Sequence, residues 1–247
     1  MELSDSQQSH HTATAEPSAP EIQFSEPPST AEPKSDPGTI LAWLKTSLAT
    51  IYLNARQKPF QQRDAPKLTR KAYLDLYSAV HQYCLATKLA RRGLTEEDLY
   101  RCLEHEIRGF CTGAASQICS QQSDADFQHA RRVLTEYEAQ WQRLQGLAGL
   151  IANLFRSLER DWIGREMCEK RRNVHLIQEL HTVTWKEVVS QVGVDSSIAE
   201  TGSEIAKAVA TLKGQEGEEG WASNGFGSVE GFEEHLRNIG IRLGEGT

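Results

Sequence analysis

All eight prolines of this 247-residue chain lie at or before Pro66, and six of them fall within residues 1–39. Proline removes a backbone donor and its ring collides with the preceding helical turn, so it ends helices from within. From Lys67 to Thr247 the chain contains none. That long stretch is free to form long helices, and its apolar residues fall three and four apart, the spacing of one helical face. Leu147, Leu150, Ile151, Leu154, Phe155 and Leu158 make one such stripe, and Val174, Ile177, Leu180, Thr184 and Val188 make another. Period-2 alternation, which would announce strands, is absent from this block. The expected fold class is all-α.

Five amphipathic helices follow from the caps and stripes. Asp36-Pro37 offers a cap and a pre-set first turn to Ile40, Leu41, Trp43, Leu44, Leu48, Ile51 and Tyr52, ending before Lys58-Pro59. The second helix spans about Leu68 to Leu89. The third begins at Thr95-Glu96-Glu97-Asp98, where the threonine oxygen caps free amides and the acids suit the positive helix end. Ser123-Asp124-Ala125-Asp126 opens the fourth in the same way, and its stripe from Phe127 runs on to Arg160 with a kink expected at Gly146 or Gly149. The fifth runs from about Arg165 to near Gly193. Together they predict a single five-helix bundle over residues 40–192, large enough for one core.

The flanks differ in composition. Residues 1–39, rich in Pro, Ser and Glu, and residues 193–247, rich in Gly and Glu, each carry a net charge of -6. With -7 overall, the middle block holds +5. Acidic, proline- or glycine-rich segments bury too little apolar surface to offset the entropy of ordering, so both tails are expected to be disordered. A short helix at Ile198–Leu212 is the one candidate exception. The 55 residues after 192 are too few for a second bundle of this size.

Several function classes find little support. The basic residues of the middle block are spread rather than clustered with aromatics, so no nucleic-acid partner is expected. The first forty residues lack an apolar run, and the longest one, near Leu147–Phe155, is too short to span a bilayer. No membrane partner is therefore expected. Five cysteines, an odd number with four of them at or beside apolar stripes, fit reduced core thiols. Cys102, His105, Cys111 and Cys119 are strung along one helix, and zinc requires ligands that converge on a point. His10-His11 is a weak metal motif. No cofactor, metal or catalytic residue is assigned, and no phosphate-cradling glycine loop precedes a helix. The alternative is a helical-bundle metal- or thiol-dependent enzyme using Cys102, His105 or the histidines of the fifth helix.

Helix two is unusual in carrying Tyr73, Leu74, Tyr77, Val80, His81 and Cys84 within three turns. Leu76, Val80 and Tyr83 suit the core by periodicity. That leaves Tyr73, Leu74, Tyr77 and His81 on a neighbouring face, unless all of them are core.

Two blocks carry a resemblance. Leu158-Glu159-Arg160-Asp161-Trp162-Ile163-Gly164-Arg165-Glu166, followed by a helix with Val183-Thr184-Trp185-Lys186, resembles the end of the first cullin repeat. Tyr73 to Cys84 resembles the second helix of the same repeat, in the cullin type that holds SCF ubiquitin ligases. The resemblance covers about Leu41 to Val192. It implies a five-helix bundle and a scaffold of ubiquitin ligase complexes, working in the cytoplasm, the nucleus or both, with no catalysis of its own. It further implies docking of a BTB/POZ-fold, SCF-type adaptor through Tyr73, Leu74, Tyr77, His81 and Trp162. The family's RING partner binds a C-terminal domain expected to be missing here, so no RING partner is expected. His81, His175, Gln178 and His181 depart from the family pattern, which usually has an aromatic at His81 and Tyr, Tyr and Ala at the other three. A buried polar group needs a partner to offset its desolvation.

Overall fold

The computed structural model describes residues 21–28, 36–57, 66–89, 93–119, 127–169, 173–190, 199–214 and 225–241. The motifs at His10-His11, Lys58-Pro59 and Ser123–Asp126 lie outside them. Helices α1 (Pro37–Gln57), α2 (Arg70–Leu89), α3 (Glu96–Cys119) and α4 (Phe127–Leu154) come in the expected order. Their starts follow cap chemistry. Asp36 Oδ2 accepts from the Thr39 N–H at 3.1 Å, and Thr69 Oγ1 accepts from the Ala72 N–H at 3.1 Å. Asp98 reaches back to accept from the Thr95 N–H at 2.6 Å. Each bond satisfies an amide that helix geometry leaves without a partner.

Leu44, Leu48 and Ile51 of α1, Leu76, Val80 and Tyr83 of α2, and Leu103, Ile107 and Cys111 of α3 are fully buried in one continuous core. The class is all-α, but the count and ends of the helices depart from the sequence reading in three places.

The first is the bend after α4. This helix runs unbroken through Gly146 and Gly149. A glycine costs a helix only about 1 kcal/mol relative to alanine, and the buried residues on either side outweigh it. The break comes at Phe155 (φ -97°, ψ 16°). A short turn α5 (Arg156–Leu158), a π-helical turn (Glu159–Ile163) and α6 (Gly164–Cys168) then form an elbow. A π turn inserts one extra residue and so rotates the side chains after it. Here Leu154, Phe155, Leu158, Trp162 and Ile163 all stay buried. The expected fifth helix is therefore two pieces, α6 and α7 (Ile177–Ser190). Asn173 (φ 68°) makes the turn between them, and the Glu159 carboxylate accepts from the Ile177 N–H at 2.9 Å to cap α7.

The second is the end of the packed region. Helix α8 (Ala199–Lys213) lies along α4, and α9 (Val229–Asn238) packs beside it. Ile205, Ala208, Val209 and Leu212 of α8 and Phe232 of α9 join the same core, so it extends well beyond residue 192. A Cβ on Gly202 would sit 3.0 Å from the Val189 carbonyl oxygen, a tight contact, so the approach of α8 to α7 favours glycine. Gly240 (φ +77°) closes α9, with Ile241 N–H donating to Leu236 O at 2.8 Å and Gly240 N–H to Arg237 O at 3.0 Å.

The third is the N-terminal side. Residues 21–28, inside the expected disordered tail, dock on the bundle. Ile22 N–H donates to Lys67 O at 3.0 Å, Trp43 Nε1 donates to Ser25 O at 3.2 Å, and the Phe24 ring meets Trp43 edge-on at 6.1 Å. Among the described residues no helix is long and apolar enough to cross a membrane.

Candidate docking face on helix α2

Helix α2 turns Leu76, Ala79, Val80, Tyr83 and Cys84 inward. Its opposite side carries Leu74, Tyr77, His81, Leu85 and Leu89, spaced three, four, four and four residues apart. That spacing makes a single longitudinal row. Leu74 is 51% exposed, Tyr77 39%, Leu85 46% and Leu89 84%, with His81 half-buried among them. Isolated exposed apolar residues are ordinary on a protein surface; a row of them along one helix makes a candidate docking face. Leu85 and Leu89 were missed by the sequence reading. Their signal was the continued step of four from His81.

The elbow lies alongside. Ser157, almost fully buried, places its hydroxyl 3.2 Å from His81 Nδ1. Lys88 Nζ donates to Asp161 Oδ2 at 2.9 Å, and Arg160 donates to both oxygens of the same carboxylate at 2.7 and 3.2 Å. Arg160 first, then Lys88, hold the Asp161 carboxyl well below the usual carboxylate range. Exposed pairs of this kind add little stability. They fix the geometry of the rim.

Two predicted site residues sit differently from the expectation. Tyr73 is half-buried and packs against the core, at the edge of the row rather than on it. Trp162 is 5% exposed, its ring 5.2 Å from Tyr100, so it lies under the row rather than on it. The π turn directs it inward, under the elbow. Tyr100 is itself held by His175, whose N–H donates to the Tyr100 hydroxyl at 2.9 Å. Trp162 thus supports the face from beneath.

Of the other polar departures, Gln178 is exposed and His175 lies ahead of α7. His181 alone enters the core. Its Nε2 is 2.8 Å from the Tyr52 hydroxyl and its Nδ1 2.7 Å from Ile177 O, so both ring nitrogens have partners. Burial pushes its pKa down to about 4, partly offset by the bond to Ile177. Cys84, Cys102 and Cys111 show no sign of activation. Burial pushes Cys84 up to about 12 and raises Cys111 and Cys102 as well. Such thiols stay protonated, and a nucleophile must be a thiolate. Among the described residues no three His, Cys, Asp or Glu side chains gather as metal ligands.

Among the described residues the helices stack as an all-α array with an exposed row on α2. The family model described as the cullin alpha solenoid domain matches residues 44–213, well over half of the chain, and the chain belongs to the cullin family. Cullin-1 of Caenorhabditis elegans is 21% identical over 136 aligned positions, which take in 47% of this chain and 16% of that protein. The match thus spans a small part of the relative's length. The matched region runs through α8, in agreement with the packing of that helix on α4.

Proposed function

We propose that this chain is the adaptor-docking part of a cullin scaffold, seating an SCF-type BTB/POZ-fold adaptor of ubiquitin ligase complexes on α2 and the elbow. The observation that carries this reading is the row Leu74–Tyr77–His81–Leu85, exposed but for the half-buried His81, on a helix whose other side is locked in the core. Tyrosine and leucine there offer rigid apolar area at little entropy cost. The role is positional and needs no catalytic group, because a scaffold acts by proximity. RING binding is assigned to none of these residues.

Calorimetric titration with the adaptor tests it. The wild-type chain should bind, and the double variant Leu74→Ala/Tyr77→Ala should lose about 2 kcal/mol or more per true anchor. Its melting temperature should be unchanged, since both side chains lie outside the core. In a reconstituted ligase the chain should slow ubiquitin transfer, and excess adaptor should restore it by mass action. Absence of wild-type binding, or full binding by the double variant, overturns the reading.

A further inference from the structure

The row on α2 is not uniformly apolar. His81 sits at its centre, between Tyr77 and Leu85, and its Nδ1 is engaged by the buried Ser157 hydroxyl at 3.2 Å. Resting on the docking role proposed above, we infer that His81 selects the partner, and that the surface seated here carries a carboxylate placed to accept from His81 Nε2.

A partner that covers the row also covers His81. A neutral imidazole has one donor and one acceptor nitrogen. Where the Ser157 hydroxyl donates to Nδ1, the remaining nitrogen is a donor, Nε2–H, and this is the tautomer that a carboxylate opposite Nε2 would select. An apolar patch laid over it would bury an unpaired donor, which costs more than never having had one. Partners with only apolar groups opposite are therefore rejected, which is specificity by penalty as much as by attraction.

Charge decides which acceptor fits. Helix α2 and residues 156–163 together hold Arg70, Lys71, Lys88, Arg156 and Arg160 against Asp75, Glu159 and Asp161, a net +2 in a chain of -7. All three acids are engaged: Asp75 by Lys71 at 2.6 Å, Asp161 by Lys88 and Arg160, and Glu159 by the Ile177 N–H. A basic rim around a central donor suits an acidic partner surface.

Three substitutions in the full chain separate this role from packing, with the SCF-type adaptor as the probe. His81→Phe removes both nitrogens. His81→Asn retains a polar atom near the Nδ1 position only, and His81→Gln reaches toward Nε2. His81→Phe and His81→Asn should weaken binding roughly ten- to a hundredfold, the scale of a lost bond to a charged group. His81→Gln should stay within a few-fold of wild type, with thermal melts confirming that every variant is folded. Neutralising the adaptor's interface Asp and Glu residues one at a time should reveal one that weakens wild-type binding but leaves His81→Phe binding unchanged. If His81→Phe binds as tightly as wild type, if His81→Gln is as weak as His81→Phe, or if no adaptor acid couples to His81, the inference fails while the docking role stands. If neither wild type nor any variant binds, the docking role fails and the inference with it.

Discussion

His181 and His81 both interrupt apolar surfaces, one in the seam between α1 and α7 and the other on the outer row of α2. His181, in the seam, is buried with both nitrogens paired, to Tyr52 and to Ile177. His81, on the row, is half-buried and bonded to Ser157 through Nδ1. A polar group that the fold satisfies completely contributes to one defined packing arrangement. One that the fold satisfies halfway leaves chemistry for something else to complete. The same residue type is structural in one region and available for recognition in the other, and burial with partners distinguishes the two.

The comparison breaks most visibly at Trp162, which the sequence places with the docking residues and the structure places in the core. Trp162→Ala should cost about 3–5 kcal/mol of stability, the usual toll of a large side chain removed from a packed site. Denaturant unfolding should show that loss. The molecules that remain folded should bind adaptor within a few-fold of wild type. Unchanged stability with lost binding would return Trp162 to the face.

The second test sharpens the seam. His181 is neutral in the folded chain, with its pKa down to about 4, whereas an unfolded histidine titrates near 6.5. Its contribution is therefore complete above about pH 6.5 and lost as pH falls from there towards 4. The full difference is about 3 kcal/mol, because the unfolded state binds the proton first. His235, between Trp141 and Phe226, is also held down to about 4 by burial and acts with the same sign. Chemical denaturation at pH 7 and pH 5 should show the decline, and His181→Gln should flatten it. A variant that tracks wild type across that window would assign the decline to other groups.

Much of the bundle was legible in the sequence because caps and stripes are local. Thr95 with Asp98, Asp36 before Pro37, and the buried side of α2 all follow from residues within a few positions of one another. The elbow was not legible. Apolar residues at Leu154, Phe155, Leu158, Trp162 and Ile163 fit a straight helix nearly as well as one with a π turn, and only the opposing surface decides. The C-terminal helices were hidden by composition. Phe232 and Leu236 gain their value from Tyr137 and its neighbours, almost a hundred residues earlier, and glycine and glutamate between the helices mask the pattern. Of the candidate row, spacing on α2 set Leu74, Tyr77 and His81, with Tyr73, on a face beside the core, and only the family resemblance gave that face a docking role. Leu85 and Leu89 lay one and two steps further along the same row. Ser157 as the partner of His81 lies 76 residues away, and no local rule connects them.

Hydrogen exchange of the full chain with and without saturating adaptor tests the central claim most directly. If the partner sits on α2 and the elbow, added protection should be confined to Arg70–Leu89 and residues 156–163. The seam between α1 and α7 and the helices α8 and α9 should exchange as in the free chain. Protection centred on α8 or α9, or spread evenly over the bundle, would contradict a docking face on α2.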